Sequence, residues 1–379
     1  MTQSVFVTGF DPLAYRRPLF AKKAIPGLKI ISYKYLINRF GKLSYIPLKM
    51  VPRIAKVESL FTKLSTSGGD RYVSALLREF FSRVALTGMK VDLVIALNPY
   101  LASRRVWGDN ATIIVDWMDV WMDPQGSIHP LDVRILREAN GIIFWSRALM
   151  EVAARKLGLQ RFTYIPYGVD PLFNPPRFGD ARFFRERYRL GDSIVFMYSG
   201  GIWKVNGVDL QGTDRMLAAF ASAARRLRNA VLVLQVPRMD NATLRAVKAL
   251  RGRVRVLGSL PYASFLRQSA FAAADVLLAP NSRHPMVFYA ERVKMFQYMA
   301  AGRAILAERT PGATSALGDA AMYVELGSTE SLAEAIVELA EDKELREELG
   351  AKARERARLF TWTKLAPRYA EFVRSIREG

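Results

Sequence analysis

The sequence predicts an α/β protein built as two doubly wound domains, and three observations point there. The first is length: 379 residues exceed what one hydrophobic core usually serves, so two domains of about 150–200 residues are expected. The second is an alternation, in both halves, of short β-rich apolar runs with longer helical periods, which is the pattern of parallel strands flanked by helices. The third is the segment YGVDPLFNPPRFGD at 167–180, whose density of proline and glycine suits an interdomain linker.

The expected strands of the first half are 4–10, 28–33, 92–98, 111–116, 141–146 and 162–166. Those of the second are 193–200, 230–236, 254–259, 275–280, 304–308 and 321–326. Several are apolar throughout, such as DLVIALN and AVLVLQV, as strands buried on both faces should be. Helical periods separate them, including TDRMLAAFASAARRLR at 213–228 and one long stretch at 328–360. In such a fold a ligand is expected at the carboxyl ends of the strands, in the cleft between the domains.

Half the residues are apolar and 24% are charged, a balance that excludes an intrinsically disordered chain. No apolar run approaches the roughly 18–20 residues that cross a bilayer. The opening MTQSVFVTGF has neither the basic flank nor the cleavage site of a secretory signal, so a cytoplasmic protein is expected. There is no cysteine, and His129 and His284 are the two histidines; a thiol nucleophile is excluded and no zinc site is expected.

The formal charge of +21 calls for an anionic partner or reflects an arginine-rich surface. It is concentrated between Arg16 and Lys63, where Arg16, Arg17, Lys22, Lys23, Lys29, Lys34, Arg39, Lys42, Lys49, Arg53, Lys56 and Lys63 face Glu58 alone. Tyr33, Tyr35, Phe40, Tyr45 and Phe61 interleave with them. Cations with interfacial aromatics suit an anionic membrane surface, here the inner face; a solvated face over ordinary core aromatics has the same signature. A nucleic-acid-binding role has the charge but lacks zinc-finger spacing and any aromatic–glycine RNA signature, so no nucleic-acid partner is expected.

Four segments occur in a telling order: GIIFWSRALMEVAARKLGLQRFTYIPYGVD (141–170), FMYSGG (196–201), VRVLGSLPYASFLRQSAFAAADVLLAP (254–280) and ERVKMFQYMAAGRAILA (291–307). Together they resemble the family 4 glycosyltransferases, retaining and metal-independent enzymes of the GT-B fold. The resemblance covers nearly the whole second half and the last quarter of the first. It implies two Rossmann-like domains facing a cleft. After the FTW of Phe360–Trp362, similar to that family's closing F-x-W, the C-terminal helix is expected to return to the N-terminal domain. The implied division is an acceptor-binding domain of 1–167 plus helix 362–379, and a nucleotide-sugar-binding domain of 168–361.

In the second domain Ser199, Gly200 and Gly201 follow a strand, and glycines there allow a turn close to a bound phosphate or simply a tight loop. Lys204 lies just beyond and would meet a diphosphate as a point charge. The family usually places a lysine–glycine pair before TDRML; here the pair is Gln211–Gly212. The family's two glutamates are also absent, their positions held by Tyr289 and Gln297. Gln297 can still accept from ribose hydroxyls. Lys294 matches the lysine that some members carry three residues earlier, and it shares a helix face with Gln297. Arg292 stands in reserve for the phosphates, and His284 in NSRHPMV is a candidate for the donor sugar.

In the first domain IIVDWMDVWMD ends a strand with Asp116, Asp119 and Asp123. Asp119, assisted by Asp116, is expected to orient the acceptor hydroxyl. By resemblance Asp119 occupies the place of a histidine–aspartate pair, with Met118 replacing the histidine. A divalent-metal site and plain strand-capping aspartates are the other readings. The expected activity is transfer of a sugar, with retention and without metal or cofactor, from a nucleotide-diphosphate sugar to a glycan or lipid-linked acceptor. Two alternatives remain: a degenerate GT-B binding subunit without turnover, suggested by the missing glutamates, and a basic nucleic-acid-binding protein.

Overall fold

A computed structural model describes residues 3–8, 16–32, 90–118, 120, 122–171, 180–205, 208–250, 252–261 and 264–379. Asp119 and most of the basic stretch, from 33 onward, lie outside these residues, as does 172–179 of the expected linker. The chain divides into two compact units. One comprises Met1–Trp145, Met150–Ile165 and Ala366–Gly379; the other comprises Ser146–Leu149 and Pro166–Leu365.

The first unit holds a parallel sheet of β1 Gln3–Thr8, β2 Lys29–Ser32, β3 Val91–Leu97, β4 Thr112–Trp117, β5 Gly141–Phe144 and β6 Phe162–Tyr164. Their order is β2-β1-β3-β4-β5-β6. Val5, Phe6, Ile95, Ile114, Val115 and Ile143 are fully buried, and because neighbouring residues point to opposite faces, the unbroken apolar runs reflect strands buried on both.

This unit is tied together by a buried ion pair. Arg17 opens the helix Arg17–Ala24, and Asp116 lies on β4; both side chains are 0% exposed. Arg17 donates from Nε to Asp116 Oδ2 at 2.8 Å, and from Nη2 to Asp116 Oδ1 at 3.0 Å and the Ile165 carbonyl at 3.1 Å. Asp116 also accepts from the Trp145 indole at 2.5 Å and the Tyr369 hydroxyl at 2.9 Å. The rings of Phe20, Trp145 and Tyr369 surround the guanidinium at 4.8–5.1 Å. Tyr369 belongs to the last helix, Trp362–Glu378, which from Ala366 on is part of this first unit. Arg17 is therefore no surface cation, in contrast to the sequence reading. Lys22, Lys23 and Lys29 are exposed.

The second unit holds another parallel sheet: β7 Ile194–Ser199, β10 Ala230–Gln235, β11 Val254–Val256, β12 Val276–Ala279, β13 Ala304–Glu308 and β14 Met322–Val324. Between β7 and β10 comes a small antiparallel pair, β8 Lys204–Val205 with β9 Val208–Asp209. The large sheet runs β11-β10-β7-β12-β13-β14. Counted from β7 this is 3-2-1-4-5-6, the Rossmann order, which places the topological switch point between β7 and β12. On one face Met216, Leu217 and Phe220 pack with Leu232, Leu234, Ile336 and Leu339 into a closed core.

The long helical stretch foreseen at 328–360 is two helices, Thr329–Glu341 and Lys343–Ala357, followed by a 3-10 turn. Asp342 breaks it: its backbone is extended (φ −94°, ψ 99°) and its carboxylate accepts from Leu345 N, starting a new helix. At the head of the unit the glycine of IPYGVD has φ +83°, and a Cβ there would lie 3.0 Å from the Phe360 carbonyl. Val169 N donates to that carbonyl at 2.7 Å, so the IPYGVD and FTW segments meet. Among the described residues no helix is long and apolar enough to cross a membrane.

Arg17→Met leaves Asp116 buried and uncompensated, and should destabilise the first unit by about 3–5 kcal/mol. The double variant Arg17→Met/Asp116→Leu should recover most of that loss. Urea unfolding followed by hydrogen exchange of β1, β3 and β4 checks both; a silent single variant would refute the central place given to the pair.

Candidate functional site

At the switch point of the second unit, the carboxyl ends of β7 and β12 are held by one hydroxyl. Tyr298, on the helix Val293–Ala301, accepts from Ser199 N at 3.0 Å and donates to the Leu278 carbonyl at 3.2 Å. Beyond β7 the chain turns through Gly200, whose φ is +152°. Gly200 N donates to the Gln235 carbonyl at 3.1 Å, and Ser199 Oγ donates to Gln235 Oε1 at 2.5 Å. Ser199 is thus committed to the β10 side rather than to a ligand.

Lys294 reaches this turn from the first turn of its helix. A Cβ at Gly200 would lie 2.6 Å from Lys294 Nζ, so only glycine lets the amine occupy that place. The amine is buried, has no hydrogen-bond partner among the described residues, and stands 4.0 Å from the centre of the Tyr198 ring. Burial first, and then the positive charge of Arg292, push its pKa well below the usual lysine range, against a weaker pull from Asp209. A buried, unpaired amine costs stability and has the character of a ligand-binding group.

Arg292 caps nothing itself but braces the helix entry. Its Nη1 donates to Gln211 Oε1 and its Nη2 to the Pro280 carbonyl just past β12. Its Nε is buried without a partner among the described residues. Gln211 stands where the resemblance expects a lysine, and its carbonyl oxygen is what receives the arginine. Gln297, one turn beyond Lys294, is 4% exposed and accepts from Arg267 Nη2 at 3.4 Å.

Behind the site Glu308, fully buried at the end of β13, accepts a fork of two 2.7 Å bonds from Arg215. It also accepts from Asn281 N at 2.6 Å and Gly327 N at 3.0 Å. Gly312 permits the last close approach, since a Cβ there would lie 2.3 Å from the Ala290 carbonyl. The 289–292 segment thereby sits hard against the helix Pro311–Leu317 and aims Arg292 and Lys294.

The other sequence candidates take different places. Lys204 is bracketed by Asp214 at 2.7 Å and Asp240 at 2.8 Å. Partial burial alone would lower its pKa, but the bonds to these two carboxylates outweigh that and raise it. These two ion pairs tie the β8–β9 pair to the starts of the helices Thr213–Arg226 and Asn241–Ala249. His284 accepts from Met286 N at 3.3 Å through Nδ1, capping a one-turn helix. Asp116 has four protein donors and no exposed surface, so it holds the fold instead of facing an acceptor. Asp123 Oδ1 accepts from Ser127 N at 2.7 Å, closing a turn. Gly201 lies beside the Trp203 indole, with a would-be Cβ 2.6 Å from its Nε1.

The sequence reading missed Tyr198 and Tyr298. Tyr198 sits in an apolar strand and passes for core, whereas Tyr298 is four residues after Lys294, a spacing that shares a helix face. A glycine turn, a buried unpaired amine and an arginine at a Rossmann switch point favour an anionic, phosphate-bearing ligand. Gly200→Ala should therefore displace the Lys294 amine and weaken nucleoside-diphosphate binding at least about tenfold, or roughly 1.4 kcal/mol. Calorimetry measures it, with circular dichroism confirming an intact fold; unchanged affinity would separate the turn from the ligand.

Comparison with known proteins finds similarity in sequence and in fold. Residues 194–342, from β7 through the first helix after β14, match the model of the glycosyl transferases group 1. A phosphatidyl-myo-inositol mannosyltransferase of Mycolicibacterium smegmatis is 29% identical over 202 residues, 52% of this chain; the match spans 48% of that relative's length. Among solved structures, a glycosyltransferase from Rickettsia africae aligns over 99% of this chain and 98% of its own, at 15% identity and a TM-score of 0.68. Anabaena HepE in complex with UDP-glucose aligns over 99% of this chain and all of its own, at 15% identity and a TM-score of 0.69. These structures show the fold, two Rossmann-like domains. Residues 194–342 thus resemble a glycosyl transferases group 1 domain, and the chain as a whole has the two-domain fold of these solved glycosyltransferase structures.

Proposed function

We propose that this protein moves a sugar from a nucleotide-diphosphate donor to a hydroxyl acceptor, with retention at the anomeric carbon and without a metal ion. The observation that carries the proposal is the Lys294 amine, buried without a partner against Gly200 inside the segment that matches the family model. The crystals of Anabaena HepE with UDP and with UDP-glucose support a nucleotide sugar as donor. On this reading Lys294 donates to the diphosphate, Arg292 adds a second positive charge beside it, and Gln297 meets the ribose. Charge builds on the leaving diphosphate as the glycosidic bond breaks, and fixed cations there lower the barrier. The leaving group helps to accept the acceptor's proton, so the protein's main tasks are positioning and charge stabilisation. Asp119, outside the described residues, is the proposed acceptor-orienting group.

The replacement of both family glutamates, by Tyr289 and Gln297, favours a second reading: a donor-binding subunit without turnover. Assay of a panel of nucleotide sugars for transfer and for binding separates the two. Lys294→Ala should weaken nucleoside-diphosphate binding by about 1–3 kcal/mol and barely alter binding of the bare nucleoside. Turnover should survive excess chelator. Activity that vanishes with chelation and returns with magnesium or manganese would overturn the metal-free mechanism.

The acceptor is proposed to be lipid-linked, the protein working on the anionic cytoplasmic face of a membrane. Support comes from the exposed Lys22, Lys23 and Lys29, from the basic stretch that follows them, and from the lipid named in the mannosyltransferase relative. Each cation near such a surface contributes about 1 kcal/mol, screened beyond about 8–10 Å. The protein should sediment with anionic vesicles at low salt, be released at high salt, and ignore neutral vesicles. Reversal of Lys22, Lys23, Lys29 and Lys34 to glutamate should release it while donor binding stays intact.

A further inference from the structure

We infer that Lys294 is a neutral amine in the free protein and takes up one proton from solvent as the donor's diphosphate binds, so that donor recognition is coupled to proton uptake. This rests on the donor-site reading above and deepens it. The geometry is that of an amine in an apolar socket. Its nitrogen is buried, lacks a hydrogen-bond partner among the described residues, and lies 4.0 Å from the Tyr198 ring centre and against the Gly200 backbone. An ammonium carries three donors, and leaving all of them unmade in a buried site is unfavourable.

The charges around it do not supply the missing counter-ion. Arg292, two residues earlier, is a partly buried guanidinium that opposes a second positive charge. Asp209, at the end of β9, is the acid that favours protonation. Its carboxylate is already engaged, Oδ1 with Gln211 N at 2.9 Å and Oδ2 with Thr213 Oγ1 at 3.1 Å and Asp214 N at 2.8 Å. The phenols of Tyr198 and Tyr298 are held neutral, because burial raises both. Arg267 adds a further positive charge near Tyr298. Glu308 acts on Arg292 and is itself bound by Arg215, Asn281 N and Gly327 N. The balance favours the neutral amine until an anion arrives.

A diphosphate changes that balance. Its oxygens offer the acceptors that the amine lacks, and their charge raises the lysine's affinity for a proton. The free amine plus one solvent proton becomes an ammonium that donates to the phosphoryl oxygens, and no other bond is made or broken. The lysine pKa is higher in the complex than in the free protein. Binding is therefore independent of pH below the free-state value, weakens by up to about tenfold per pH unit between the two values, and levels off above the bound-state value. A bare nucleoside brings no charge and takes up no proton.

Titration calorimetry of the full chain with UDP, in buffers of different ionisation enthalpy, reads the proton count directly. Above pH 7.5 the terminal phosphate, with a pKa of about 6, is already ionised and does not contribute. The expected result is uptake of about one proton per UDP by the native protein, and none by Lys294→Met or with uridine. UDP binding that depends on Lys294 but takes up no proton overturns the coupling and leaves the donor site standing. UDP binding that is as tight in Lys294→Met removes both. A second measurement needs no ligand: with ¹³C-labelled lysine, one ε-carbon signal should keep the neutral-amine shift at pH 8 and be absent from Lys294→Met. An ammonium shift for every lysine at that pH refutes the inference.

Discussion

Taking an ammonium or guanidinium out of water costs several kcal/mol, and a fold that buries one must bring a counter-charge to it or leave it poised for a ligand. The two units resolve this constraint in opposite ways. In the first, Arg17 and Asp116 are both fully buried and answer each other with two hydrogen bonds. Every element that contributes to their surroundings is thereby placed: the first helix, β4, the Trp145 end of β5 and the returning C-terminal helix through Tyr369. A carboxylate with four donors needs all four delivered together. That is a strong reason for the last helix to close on the first unit.

In the second unit the same satisfaction is given to Arg215, forked onto Glu308, and to Lys204 between two aspartates. Lys294 is denied it. Its amine is held by steric means, with the bare backbone of Gly200 on one side and the Tyr198 ring on another. The neighbouring Arg292 is braced by Gln211 and the Pro280 carbonyl, so a guanidinium and an unpartnered amine converge on the end of β7. Substituting glutamine for the family lysine at 211 is intelligible here. A third cation at that point would oppose Arg292, whereas the amide oxygen accepts from it.

Much of this architecture was legible in the chain. The strand–helix alternation in both halves, the glycines after β7 and the Lys294–Gln297 helix all stand where the apolar pattern and the motif order put them. Both reflect local rules: continuous apolar runs mean two-sided burial, and a glycine after a strand means a turn without a Cβ. The break at Asp342 also had a local cause, a helix-capping carboxylate, but it was hidden inside a long run of helix-forming residues. Tyr298 was hidden because an aromatic in an apolar helix has the same pattern whether it packs or bridges two strand ends.

The sequence by itself determined the two Rossmann-like layers, their approximate strands, and the glycine turn with a lysine-bearing helix at its mouth. These follow from periodicity and residue type, which act over a few positions. Only the tertiary structure decided which charged groups are paired within the protein and which are left without a partner among the described residues. Asp116 and Lys204 looked as available as Lys294 until Arg17, 99 positions from Asp116, and Asp240, far along the chain from Lys204, were brought beside them. Electrostatic pairing acts through space and is indifferent to separation along the chain, so whether a basic side chain stands unpaired is settled only when folding has allotted the carboxylates.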